Sequence, residues 1–251
     1  MRVRLIGKNL EDIADLLKEY NMQVVADSDV ELVVAHGGDG TMLSAEREFP
    51  SVPKLLLRDF RTAPQCEEHG YRNILQNFVD GKLKLAKLPK LIAVARNERF
   101  IAINDIFIHN YEPMNALRYR VRINEELYAN EVVGDAVGIS SVHGSTAYYK
   151  SITHSIFRTG IGLSFSNSTE EVNHLVLPET SVVRIEIVRG PGLIIADNDR
   201  RTLMVGEKEE ILLSQSQTEF GLFYGLQEFM CPKCRILRHP NKSPYQGYIA
   251  P

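Results

Sequence analysis

The first third of the chain alternates short apolar runs with amphipathic ones. Residues 1–7, MRVRLIG, set charged against apolar positions with the period of a strand. LEDIADLLKEY follows, with Leu10, Ile13, Leu16 and Leu17 at helical spacing. MQVVA and VELVVAH read as strands, the second apolar and short enough to be buried. After a glycine cluster, TMLSAEREF is a second helix beginning near Thr41, VPKLLL a further strand, and CEEHGYRNILQNFVDG a helix closing on Gly81. Strands alternating with helices predict a parallel sheet with helices packed on it.

The period changes near residue 82. From there to about residue 216 the pattern is mostly strand, with four hairpins expected: LIAVAR-NE-RFIAIN, LRYRVRI-NEE-LYANEVV, VVRIEIVRG-PG-LIIAD and RTLMV-GEKEE-ILLSQS. Arg118, Arg120 and Arg122 alternate onto one face of the second hairpin. TEFGLFYGLQEFM fits a strand or a helix, and the Pro-containing end, CPKCRILRHPNKSPYQGYIAP, reads as irregular. The predicted fold class is an α/β N-terminal domain with a parallel sheet (1–81), a mainly β C-terminal domain (82–229) and a tail (230–251).

Composition narrows the function classes. Apolar residues make up 44% and charged residues 24% of 251, and the net charge is −3. That balance gives no electrostatic reason to expect a nucleic-acid or membrane partner. No apolar run has the length of a membrane span, and the N-terminus lacks the apolar core of a signal peptide. Three cysteines do not make a disulfide framework, so a cytoplasmic protein is expected. Cys66-Glu-Glu-His69 and Cys231-Pro-Lys-Cys234 share knuckle spacing and together match the Cys3His count of a structural zinc site. One C-x-x-C is a weak signal, and the sequence favours unconnected thiols.

Two stretches carry candidate chemistry. ELVVAH runs directly into GGDGTML, where Gly37, Gly38 and Gly40 remove the Cβ atoms that block close backbone approach. A helix opening near Thr41 would aim its free N–H groups and positive end at the turn, an arrangement that holds phosphate. Asp39 inside such a cradle is unfavourable unless it takes a proton or meets magnesium, which points to transfer of phosphate to a hydroxyl. The plainer reading is an Asp capping the next helix. The second stretch, GISSVHGSTAYYKS, carries seven hydroxyl side chains in residues 138–151 around Gly144. His36 and His143 flank the two stretches and read as hydrogen-bonded structural residues.

In this order, GGDGT (37–41), AINDI with Asn104 and Asp105, and GDAVGISSVHGSTAYYKS resemble the motifs of the NAD kinase family. The resemblance covers roughly residues 30 to 215. It implies a two-domain fold with the active site in the cleft between the domains, and phosphorylation of the adenosine-ribose 2′-hydroxyl of NAD to give NADP. The donor would be ATP, or polyphosphate, with Mg2+, and Asp39 would be the general base. Gly37, Gly38, Gly40 and Thr41 would hold the donor phosphates. Asn104 and Asp105 would clamp the ribose diol, Asp135 would accept from the nicotinamide carboxamide, and Thr146, Ala147, Tyr148 and Ser151 would line the dinucleotide, with Asp39 and Gly40 also against it. A homodimer or homotetramer is implied as well.

The chain departs from the family at several points. Val142 replaces a proline, and RDFRTAPQCEEHGYRN stands where the family has Gly-x-x-Gly-Phe-Leu. Asn198 stands where a turn glycine is usual and tolerates φ > 0. These departures keep two other readings in view: a lipid or sphingoid kinase sharing only GGDGT, and a catalytically weak NAD(P)-binding protein.

Overall fold

The computed structural model describes residues 1–26, 29–171 and 173–238. The chain forms two compact units, Met1–Leu88 with Gly221–Pro251, and Pro89–Phe220. These bounds differ from a division at residues 82 and 230: the C-terminal stretch groups with the first unit.

The first unit opens with β1 (Arg2–Gly7), α1 (Glu11–Glu19), β2 (Gln23–Val24), β3 (Leu32–His36), α2 (Asp39–Glu48), β4 (Lys54–Leu57) and α3 (Tyr71–Val79). The strands lie in the order β2-β1-β3-β4 and are all parallel. β3 and β4 are buried at every position, as parallel strands covered on both faces must be. Ile13 and Leu17 of α1 and Ile74 and Leu75 of α3 pack with Val3, Val34 and Leu55 in one core. α3 stops at Gly81, whose φ of +69° suits glycine.

The chain continues as β5 (Leu85–Ala95), β6 (Glu98–Ala102), β7 (Asp105–Asn110), β8 (Leu117–Ile123), β9 (Glu126–Gly134), β10 (Ala136–Ser140), α4 (Tyr148–Thr153), β11 (Ile161–Ser166), β12 (His174–Leu177), β13 (Val182–Arg189), β14 (Gly192–Ala196), β15 (Leu203–Val205) and β16 (Glu210–Tyr224). Within the second unit one antiparallel sheet runs β12-β11-β10-β7-β14-β15. A second antiparallel set places β13 between β8 and β16, with β9 beyond β8. Alternate residues of both face one core, among them Ile106, Ile108, Val137, Ile139 and Leu163 from the first and Tyr119, Val121, Ile185, Ile187 and Leu213 from the second.

Two of the four expected hairpins form. β5 and β6 turn through Arg96, and β8 and β9 through Asn124 and Glu125, all at positive φ. The other two do not. β13 pairs with β8 and β16 while β14 pairs with β7 and β15, so Gly190-Pro191 carries the chain from one sheet to the other. The turn after β15 does the same, since β16 returns to β13. The arginine face of β8 is neutralised in place: Arg118 pairs with Glu131 and Arg120 with Glu186.

TEFGLFYGLQEFM resolves into both of its readings. Thr218 to Tyr224 completes β16, and Phe223 and Tyr224 run parallel to β4. Gly225, at φ +73°, ends the strand, and α5 (Leu226–Phe229) follows. The expected irregular tail is corrected by a further helix, α6 (Pro232–Arg238), which a proline can open without losing a hydrogen bond. The rest of that segment, residues 239–251, lies outside the described residues.

Candidate active site residues

The glycine turn sits at the C-terminal end of β3, where open parallel sheets place their ligands. α2 begins at Asp39 with Gly38 as N-cap, two residues earlier than the sequence pattern indicates. Thr41 and Met42 donate their N–H groups to the Gly38 carbonyl. A Cβ at Gly37 would sit 2.3 Å from Thr41 Oγ1, so only glycine lets the turn close over that side chain. Asp39 and Gly40, in the first turn of the helix and at its positive end, are exposed.

Asp39 does not cap the helix; its side chain makes no such bond. Its Oδ1 instead accepts a hydrogen bond from Arg58 Nη2 at 2.9 Å, joining a 59% exposed carboxylate to a guanidinium only 7% exposed. Arg58 directly follows β4. Its Nε donates to the Phe229 carbonyl at 3.1 Å, and its guanidinium carbon lies 3.5 Å from the centre of the Phe229 ring. Burial pulls the Arg58 guanidinium below its usual range, and the Asp39 charge opposes that pull. The sequence reading missed Arg58; its only signal was its place one residue beyond a buried strand.

His36 is the structural residue expected. Its Nδ1 bonds the Lys8 carbonyl at 2.6 Å and its Nε2 the Tyr71 hydroxyl at 2.8 Å.

In the second unit, Asn104 and Asp105 stand where the chain enters β7. Their backbone is fixed by Asp197, which accepts from the N–H groups of Ile103, Asn104 and Asp105 at 2.7, 2.8 and 3.1 Å. The positive φ after β14 belongs to Asp197, at +47°, rather than to Asn198. The sequence reading also missed Asp197. Asn104 Oδ1 is buried with no hydrogen-bond partner among the described residues. Burial first, and the Asp197 charge second, raise the Asp105 carboxyl to about 7, against a hydrogen bond from the Tyr148 N–H.

The hydroxyl-rich loop packs against the same residues. A Cβ at Gly144 would lie 2.0 Å from the Asn104 carbonyl oxygen, which explains the glycine. Most of the hydroxyls brace the loop itself. Ser141 Oγ donates to the Ile103 carbonyl at 2.6 Å and accepts from the Gly144 N–H at 3.0 Å. Ser145 donates to Val142, Ser151 to Tyr148 and Thr146, at a long 3.5 Å, to His143. Ala147 is exposed at the start of α4. Tyr148 stacks on His109, ring centres 5.5 Å apart, and Phe107 meets it edge-on. Asp135 accepts from Asn167 Nδ2 at 2.7 Å, and its charge acts on His109, whose imidazole burial holds low. Asn104, Asp105, Asp135 and Tyr148 therefore belong to one neighbourhood of the second unit.

The four knuckle residues are not unconnected, contrary to the sequence expectation. The ligand atoms of Cys66, His69, Cys231 and Cys234 all lie within 4.8 Å of one another.

The first unit thus carries a glycine turn at the end of a parallel strand, with an exposed aspartate opening the helix, and the second unit is antiparallel β. No family model matches the chain. An NAD kinase of Sulfurisphaera tokodaii is 24% identical over 252 residues, covering 91% of this chain and 98% of that protein. An NAD kinase of Brucella suis is 30% identical over 141 residues, about half of each chain. Among solved structures, an NAD kinase from Archaeoglobus fulgidus in complex with ATP superposes with a TM-score of 0.76 at 16% identity, covering 94% of this chain and 99% of that one. Yeast NADH kinase complexed with NADH gives 0.72 at 18% identity, covering 89% and 83%. Along nearly its whole length the chain is similar in sequence, and in fold, to proteins named NAD or NADH kinases.

Proposed function

We infer that this protein is an NAD kinase, transferring the terminal phosphoryl group of ATP to the adenosine-ribose 2′-hydroxyl of NAD and releasing NADP and ADP. The observation that carries this reading is the exposed Asp39 carboxylate, fixed by the buried Arg58 on a glycine turn that opens a helix. In phosphoryl transfer the protein mainly positions groups and stabilises charge. Gly37, Gly38, Gly40 and Thr41 would bind the donor phosphates through backbone groups and the positive helix end. Asp39 Oδ1 is held by Arg58, while Oδ2 accepts no hydrogen bond among the described residues and is available to take the 2′-hydroxyl proton. As that proton leaves, the ribose oxygen bonds the γ-phosphorus and the bond to the ADP oxygen breaks. Magnesium would offset the phosphate charge. Residues 37–41 carry one carboxylate, which suits an ion held mostly by phosphates and water.

The candidate ribose-binding groups lie in the second unit. The unpartnered Asn104 Oδ1 can accept from one ribose hydroxyl, and the Asp105 carboxylate from the other. We assign Asp135 to the nicotinamide carboxamide, and Thr146, Ala147, Tyr148 and Ser151 to the walls of the dinucleotide site, with Asp39 and Gly40 also against NAD. A lipid or sphingoid kinase is disfavoured, because the relatives matching along nearly the whole chain are NAD kinases. The direct test is formation of NADP from NAD with ATP and magnesium; NAD binding without any phosphorylation would leave only a dinucleotide-binding protein.

Three free cysteines suit a reducing compartment, and we place the enzyme in the cytoplasm. None of the described helices is long and apolar enough to cross a membrane, and the net charge of −3 gives no reason to expect a nucleic-acid partner. We also propose a homodimer or homotetramer, since a β-rich unit has edge strands to cover. Light scattering of an active sample should report more than one chain per particle; a fully active monomer would defeat that part.

A further inference from the structure

We propose that Cys66, His69, Cys231 and Cys234 form a tetrahedral zinc site that staples the C-terminal helix pair to the segment following β4. The spacing of the donor atoms carries the argument. Cys66 Sγ and Cys234 Sγ are 3.4 Å apart, His69 Nδ1 is 3.2 Å from Cys234 Sγ, and all four donor atoms fall within 4.8 Å. A tetrahedral zinc with sulfur at ~2.3 Å and nitrogen at ~2.0 Å needs donor separations of roughly 3.5–3.8 Å. The cluster is therefore already near the required size, and small side-chain adjustments complete it. A disulfide does not explain the approach, because its sulfurs would stand at about 2.0 Å and all three thiols are free.

The backbone around the cluster suits a metal knuckle. Cys66 caps the short helical turn Glu67–His69, so its Sγ and the His69 ring project from one loop. Cys231 precedes α6, and the Arg235 N–H donates to its carbonyl, which places Cys231 and Cys234 one turn apart. The Cys66 N–H donates to Cys234 Sγ at 3.3 Å, an outer contact that favours a thiolate and orients it. Three thiolates and one neutral imidazole around Zn2+ leave one negative charge. Arg58 interacts electrostatically with Cys234 and offsets it. With four protein ligands and no open position the site is structural.

The staple has a local consequence. Cys231 follows Phe229 and Met230, both of which contact the Arg58 side chain. Fixing Cys231 fixes the Phe229 carbonyl, hence Arg58, hence the direction of Asp39. This last step rests on the kinase reading; the metal site does not.

The test is the metal content of the full chain purified without chelators. One zinc per chain is expected, retained on dialysis. Cobalt replacement should give the thiolate-to-cobalt charge-transfer bands of a tetrahedral site, and X-ray absorption should find sulfur and nitrogen neighbours at ~2.3 and ~2.0 Å. Cys66→Ser should lose the metal. Should that variant not fold, His69→Cys supplies a fourth thiolate and should keep zinc at one per chain while intensifying the cobalt charge-transfer bands. A chain that purifies metal-free and takes up neither ion, or whose Cys66 and Cys234 form a disulfide in place of metal binding, would overturn the proposal. Zinc retained in a chain that makes no NADP would count against the kinase reading alone.

Discussion

The glycine turn of residues 37–41 and the proposed ribose clamp at Asn104 and Asp105 are built in opposite ways. In the turn, consecutive residues do nearly everything: a buried strand delivers the chain, glycine lets it close, and a helix opens at the exposed Asp39. From elsewhere in the sequence come Arg58 and the Leu57 carbonyl, which accepts from the Gly37 N–H. The clamp is assembled from far apart. Asp197 fixes its backbone from 92 residues beyond Asp105, Gly144 makes room for Asn104, and Ser141 ties the loop to Ile103. Backbone groups suffice to hold phosphate, so a donor cradle can be local and exposed. Discriminating a ribose needs side-chain polar groups kept dry and aimed, and their orientation requires long-range support. Substitutions in the turn should therefore act on rate, and those in the clamp on affinity.

The sharpest way to break this contrast is Asp39→Asn, which keeps the size and the Arg58 contact but removes the base. Turnover should fall on the order of 10²–10⁴-fold, with NAD affinity by calorimetry largely unchanged. Near-normal turnover would remove Asp39 from the base role and make the turn a positioning device only. Asn104→Ala should do the reverse. It deletes the acceptor whose buried oxygen awaits a partner, leaving a ligand hydroxyl unpaired at a cost of roughly 1–3 kcal/mol. The NAD dissociation constant should rise accordingly while the melting temperature stays close to that of the parent. Equal NAD affinity in parent and variant would show that the orphaned amide serves something other than the diol.

The same difference explains what could be read in the chain. The α/β alternation, the glycine turn and the two hairpins with Arg96 and with Asn124-Glu125 follow from local pattern. The hairpins that failed, after β13 and β15, have turn residues as persuasive as the ones that formed. What decided against them was pairing with β8, β7 and β16, which no turn residue records. Arg58 and Asp197 were illegible for a related reason: each acts on residues 19 or more positions away. Cys66 and Cys234, 168 positions apart, looked unconnected until the fold returned the C-terminal helices to the first unit. The hydroxyls of residues 138–151 were visible, but their work was not. Ser141, Ser145 and Ser151 each donate to a backbone carbonyl and so help to shape the loop.

The last expected effect comes from the proposed clamp's carboxyl. Asp105 titrates near 7 in the folded protein, raised chiefly by burial and then by Asp197, against an ordinary value of 3.8. Between these two values the folded chain binds more protons at this group than the unfolded chain does. Stability must then fall as pH rises through that interval and level off above about 7, with a slope of at most about 1.4 kcal/mol per pH unit. Asp105→Asn cannot ionise, so its urea midpoint should lose less than the parent's between about pH 5 and about pH 8. Saturating NAD should also flatten the parent's slope, because ribose hydroxyls donating to the carboxylate would hold it ionised. Parallel midpoint profiles for parent and variant would mean that water or a nearby donor already keeps Asp105 charged. In that case the dry, aimed character assigned to the clamp would belong to Asn104 alone.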